Sequence, residues 1–305
     1  MSAPSAAATL PFTGEFDLEL TLTCGQVFHW RREGDAWLGA IGGAPCRVEQ
    51  HGRELTVRGI APGKAAHYFA LDHPLDEIYA SFPRDPAMAA ALDACRGLRI
   101  VRQPWWECIA TFITSAQKSV IHIAQISHML RERYGARIEC DFGTLHAYPE
   151  PAVIAALDER DLRACALGYR ARHLLATARA VASGTFDLAE VAKLDDAAAH
   201  AALLRLAGVG PKVAHCALLF GFGRLTSFPI DVWIERILRT LYFAGKRRVT
   251  AKRLREFGAG YFGPFGGYAQ QYLFHHARTT WPRGGRPALR PRRASRSAAP
   301  GAKAA

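Results

Sequence analysis

Residues 197–240, AAAHAALLRLAGVGPKVAHCALLFGFGRLTSFPIDVWIERILRT, spell out a helix, a tight turn, a helix, a loop and a helix. Leu203, Leu204 and Leu206 give the first segment an apolar face, and Gly208-Val209-Gly210 ends it. Pro211 follows at a helix's first position, where its missing N–H costs little. Lys212, His215, Cys216 and Leu219 recur at helical spacing, and a third helix starts near Asp231, after a loop that ends in Pro229. A glycine turn between two short helices points backbone N–H groups outward, and the helix dipole favours an anion there. Lys212 falls on the first turn beside that anion site, and Cys216, four residues on, shares its face.

The rest of the composition fits a partner rich in phosphate. At 305 residues the chain has room for two domains or one large one, and half of it is hydrophobic, as in a soluble globular protein. A net charge of +12 and a pI near 9.7 imply a polyanion. Nucleic acid is favoured over membrane, because no apolar run is long enough to span a bilayer. The opening MSAPSAAATL lacks the features of a secretory signal, so a cytoplasmic, nucleoid-associated protein is expected. Seven scattered cysteines (24, 46, 95, 108, 140, 165, 216) include no C-x-x-C pair. They imply a reducing compartment without a disulfide framework or zinc site, and they exclude a four-cysteine iron–sulfur cluster.

Along the chain, residues 1–9 are small and polar and are expected to be disordered. The alternation F-D-L-E-L-T-L-T from Phe16 predicts a half-buried strand, and further strands fit 26–31, 36–41, 45–49 and 54–58. Turn signals at Gly34-Asp35, Gly42-Gly43 and Gly52 separate them. From about 64 to about 281 the periodicity is helical. The expected fold is α+β: an N-terminal antiparallel sheet domain over 10–100, with connecting helices, packed on a mostly helical body over 101–282. The tail 283–305 has seven basic residues and no acid among Pro, Gly, Ala and Ser, and is expected to stay disordered.

L-x-G-V-G-x-K-V-A followed by Pro229-x-Asp231 resembles the helix-hairpin-helix DNA glycosylases with the Gly/Pro…Asp loop. The cysteine four residues after the lysine is similar to the 8-oxoguanine DNA glycosylase branch. The resemblance covers about 15 to 281. It implies that Lys212 attacks C1′ of the sugar, forms a Schiff base and cleaves the strand by β-elimination. An amine attacks only when neutral, a form that burial and a helix N-terminus favour. Asp231 has the plain role of a helix N-cap and, by the resemblance, also stabilises the oxocarbenium-like transition state.

A buried base must leave the stack before C1′ is accessible. Gln270 and Phe274, within GPFGGYAQQYLF, resemble the family's base-pocket glutamine and stacking aromatic, with Cys216 on the ring's other face. Thr23–Trp30, TCGQVFHW, resembles the family's S-G-Q-x-F-x-W stretch. Gly25 would then offer a backbone carbonyl to the N7–H that 8-oxoguanine has and guanine lacks. Leu167–Arg172, LGYRAR, implies a wedge at Tyr169 and an orphan-cytosine contact at Arg170. The stretch 101–117 leads to Gln117, which would fill the gap left by the flipped nucleotide.

Two departures stand out. Eukaryotic relatives have asparagines at Gln117-Lys118-Ser119 and an arginine at His122, and a histidine cannot reproduce arginine's fork of donors. Trp233 replaces a histidine near a phosphate, where an indole N–H still donates. The function implied is excision of 8-oxoguanine from duplex DNA by a monomer that needs no cofactor, with the hairpin backbone at Gly208, Val209 and Gly210 on the DNA and a monovalent cation on backbone carbonyls of the hairpin as the one addition. The alternatives are a glycosylase for alkylated purines, which generally works without the lysine, and a non-catalytic hairpin protein, which has no use for Asp231, Gln270 and Phe274 together.

Overall fold

The computed structural model describes residues 6–246 and 248–281, so the basic tail lies outside the described residues. Five antiparallel strands, β1 (Ala8–Pro11), β2 (Arg31–Glu33), β3 (Ala36–Ile41), β4 (Ala44–His51) and β5 (Glu54–Arg58), form a sheet in the order β1-β5-β4-β3-β2. Ala8 and Thr9 therefore lie in a strand, paired with Val57 and Thr56, and the disorder expected over 1–9 does not extend to them. Alternation in β4 and β5 buries Cys46, Val48, Leu55 and Val57 on one face, where Phe12, Phe16, Trp30 and Phe69 complete a core.

Two expected strands are not strands. The segment after Phe16 is a helix, Leu18–Thr23, because Asp17 Oδ1 accepts the Leu20 N–H at 2.8 Å and starts a helical turn. Leu18, Thr21 and Leu22 are its buried residues, a helical spacing that the period-two pattern concealed. Residues 26–30 form no strand either; Gln26 ties that loop down instead. Its Nε2 donates to the Thr21 and Arg99 carbonyls (2.9 and 2.7 Å), and its Oε1 accepts from Val101 N (3.0 Å). Pairing begins only at Arg31. The helical stretch also contains a small hairpin, β6 (Arg137–Cys140) with β7 (Gly143–His146).

The body is helical, and its core gathers residues from 75 to 281, with Cys24 and Phe28 from the N-terminal segment, around Ile109, Leu174, Leu218 and Tyr272. Helices Leu75–Ser81 and Pro86–Cys95 contribute Ile78, Met88 and Cys95 to this core, not to the sheet's. The last helix, Gly266–Thr280, is almost wholly buried through its first eight residues. Tyr268 hydroxyl bonds His73 Nδ1 (2.7 Å) and accepts from Ile100 N (3.1 Å), fixing that helix against the chain's first third. Among the described residues, no helix is long and apolar enough to cross a membrane.

Candidate active site

The hairpin forms as its sequence dictates. Asp195 caps the first helix, Asp196–Leu203, and Gly210 precedes the second, Pro211–Phe220. Leu203 and Leu206 are buried, but Leu204, expected on the same face, is exposed. Gly208 has φ +79, and a Cβ there would stand 2.7 Å from His173 Cβ, so the turn needs glycine for both conformation and space. The third helix, Val232–Ile237, begins at Asp231, whose Oδ1 accepts the Ile234 N–H at 2.8 Å.

These elements enclose a cavity of about 530 Å³ lined by Gly25, Gln117, Lys212, Cys216, Asp231, Trp233, Gln270 and Phe274 among others. Eight residues singled out in the sequence thus converge on one space from four separate parts of the chain. Lys212 Nζ donates to Ser115 Oγ at 2.9 Å and lies 5.0 Å from the centre of the Phe112 ring. Burial raises the Asp231 carboxyl above its ordinary value; the Ile234 N–H and the Lys212 charge oppose the shift without cancelling it. Burial also pushes the Cys216 thiol up to about 11, so it is a neutral neighbour of the amine and not a competing nucleophile.

The recognition wall is equally defined. Gly25 has φ +94, and a Cβ there would meet Phe274 Cε1 at 3.2 Å, so the ring lies directly against the backbone of residue 25. Gln26 holds one side of that glycine, and Gln271 Nε2 holds the other by donating to Cys24 O at 3.1 Å. Gln270 is buried, and its Oε1 has no hydrogen-bond partner. A buried amide oxygen without a partner is costly unless something else fills that role. On the rim, Arg236 stacks over Trp233 (5.6 Å) and Trp281 (5.7 Å).

Of the residues expected at the duplex, Gln117 and Trp233 line the cavity, and Tyr169, Arg170 and His122 lie outside it. Gln117 is exposed with φ +54, in the left-handed region, at the tip of the loop after helix Trp105–Thr114. Tyr169 is 45 % exposed. Arg170, expected free for the orphaned cytosine, is buried; its guanidinium bonds the Ala116 and Leu167 carbonyls and stacks on Tyr169, so here it braces the gap loop. His122 is exposed, with Nδ1 3.0 Å from Ser119 Oγ, the cap of its own helix Val120–Tyr134. Ser115 and Phe112 were not singled out from sequence, although their three-residue spacing just before Gln117 places both on the helix face below the loop. Among the described residues, no cluster of three or more His, Cys, Asp or Glu is arranged to hold a metal ion.

Residues 9–109 match the 8-oxoguanine DNA glycosylase N-terminal domain, and residues 110–259 match the HhH-GPD superfamily of base excision DNA repair proteins. The probable N-glycosylase/DNA lyase of Methanothermobacter thermautotrophicus is 33% identical over 300 residues, covering 87% of this chain and 94% of its own. The 8-oxoguanine glycosylase/lyase of Clostridium acetobutylicum superposes in its apo form with a TM-score of 0.83 at 30% identity, over 90% of this chain and 98% of its own. Its complex with double-stranded DNA carrying cytosine opposite 8-oxoguanine superposes with the same TM-score. A 3-methyladenine DNA glycosylase from Archaeoglobus fulgidus, 20% identical over 89% of this chain and 98% of its own with a TM-score of 0.76, shares the fold.

Proposed function

Because this chain belongs to the N-glycosylase/DNA lyase family of helix-hairpin-helix base excision repair proteins, we propose that it removes 8-oxoguanine from duplex DNA and cleaves the resulting strand. The observation that carries this is the convergence of a lysine amine, a raised carboxyl and a partnerless buried glutamine oxygen on one cavity. In the reaction, Lys212 Nζ bonds to C1′ as the N-glycosidic bond breaks, and the purine leaves with a proton. The nitrogen, with one proton left, then expels the ring oxygen O4′, which takes up a proton from solvent, and a protonated imine forms at C1′. Loss of a C2′ proton then expels the 3′ phosphate.

Asp231 supplies negative charge where C1′ becomes positive. Phe274 and Cys216 flank the purine, Gln270 pairs with its edge, and the Gly25 carbonyl, which accepts no hydrogen bond among the described residues, receives N7–H. Gln117, Tyr169, Arg170, His122 and Trp233 serve the duplex around the gap. The enzyme acts as a cytoplasmic monomer on nucleoid DNA and needs no side-chain metal. Among the described residues the Gly208 and Val209 carbonyls accept no hydrogen bond, so a monovalent cation at the hairpin would have oxygen donors there.

Borohydride trapping tests the proposal, on duplexes with 8-oxoguanine opposite each of the four bases. Wild type should form a covalent adduct and Lys212→Gln none. Base release without an adduct would indicate water as nucleophile. Tight binding with neither release nor adduct would rule out 8-oxoguanine as the substrate.

A further inference from the structure

Ser115 caps the helix Trp105–Thr114 and is 5% exposed. Its hydroxyl makes two bonds whose directions are assigned by chemistry. The hydroxyl proton goes to the Phe112 carbonyl at 2.7 Å, so the oxygen's lone pair faces the Lys212 amine at 2.9 Å. Phe112, one turn earlier, puts its ring under the same amine. Together they form a cradle for Nζ on a helix distant in sequence from the lysine's own.

That cradle opens directly onto the gap loop. Ser115 holds the amine, Ala116 offers its carbonyl to the Arg170 guanidinium, and Gln117 occupies the left-handed region at the exposed tip. Three consecutive residues thus touch the nucleophile, the arm from Tyr169-Arg170 and the space where an orphaned base would lie. Movement of the loop at Gln117 must be transmitted to Ser115, because only one residue separates them.

We propose that Ser115 is a positioning residue for Lys212, coupling the seating of the gap loop in the duplex to the placement of the attacking amine. The inference rests on Lys212 being the nucleophile. A well-seated loop keeps Ser115 under Nζ and orients the amine. A poorly accommodated opposite base displaces the loop and the amine with it, so opposite-base discrimination is expressed in the rate of base release more than in duplex affinity.

The test measures single-turnover base release at saturating enzyme, with duplex affinity measured in the Lys212→Gln background. A misplaced reacting group costs on the order of a hundredfold, so Ser115→Ala should slow release about tenfold to a hundredfold. Adding Ser115→Ala to Lys212→Gln should leave affinity for the lesion duplex within about twofold. Ser115→Thr, which retains the hydroxyl, should recover most of the rate. The spread of rates across the four opposite bases should narrow in Ser115→Ala. Release at the wild-type rate from Ser115→Ala would overturn the proposal, as would a loss matched by weaker binding in the Lys212→Gln background, which marks a loop-folding role. If Lys212→Gln itself releases base normally, the nucleophile assignment fails first and the role of Ser115 fails with it.

Discussion

Asp231 caps a helix with the same carboxylate that faces the cavity, and burial makes its ionised form unfavourable there. Asparagine also caps well, so Asp231→Asn separates the two roles. With the folded carboxyl titrating above its unfolded value, Asp231 adds its full stability below the unfolded pKa, and that contribution is lost as pH rises through the folded one. At neutral pH Asp231→Asn should therefore melt no lower than wild type, with its advantage shrinking on acidification, while base release falls by about a hundredfold or more. Wild-type release should fall away on the acid side at a pH above the ordinary carboxylate range. Gln270→Leu follows similar reasoning: removing a partnerless buried oxygen should leave the melting temperature unchanged or raise stability by about 1 kcal/mol, and excision of 8-oxoguanine should collapse. Lys212, Cys216, Asp231, Gln270 and Phe274 were legible because their partners lie within a helical turn or a short loop of recognisable spacing. Ser115 was not, since its role comes from a contact 97 residues away.

At the scale of elements, the hairpin's two glycines make opposite predictions. Gly208 adopts a left-handed conformation tight against His173, so Gly208→Ala should cost about 1–3 kcal/mol in thermal or denaturant unfolding. Gly210 has an ordinary negative φ and no atom within 4 Å of a built Cβ. Gly210→Ala should melt within about 0.5 kcal/mol of wild type, yet bind duplex more weakly because the methyl stands where a phosphate approaches the helix N-terminus. Equal melting of the two variants would contradict the geometry. The helix after Asp17 shows why some elements were misread. Leu-x-Leu-x-Leu satisfies a period of two over five residues, and only the cap and the burial of Leu18, Thr21 and Leu22 separate helix from strand. β6 and β7 escaped notice because four residues each are too few to establish alternation against a helical background.

For the whole molecule, charge and connectivity set the behaviour. The tail beyond 282 carries seven basic residues and no acid, out of a net +12. Truncation there should weaken binding to undamaged duplex and flatten the dependence of affinity on salt, since fewer counterions are released. Base release at saturating enzyme should be unaffected, which a single-turnover assay at two ionic strengths would check. The division into sheet and helices was legible from the change of periodicity near residue 64. That Ile78, Met88 and Cys95 join the helical core was not, because their helices precede their packing partners by most of the chain.

Those partners are in the last helix, whose Gln271 and Arg278 reach back to the carbonyls of Cys24 and Thr23. The lesion pocket is therefore shut by residues separated from its other wall by 247 positions. A ribosome delivers Lys212 well before Gln270 and Phe274. During that interval the nascent chain holds an amine and a carboxylate but no chamber to present a purine to them. Excision of 8-oxoguanine is therefore expected only from a chain whose synthesis has passed the final helix.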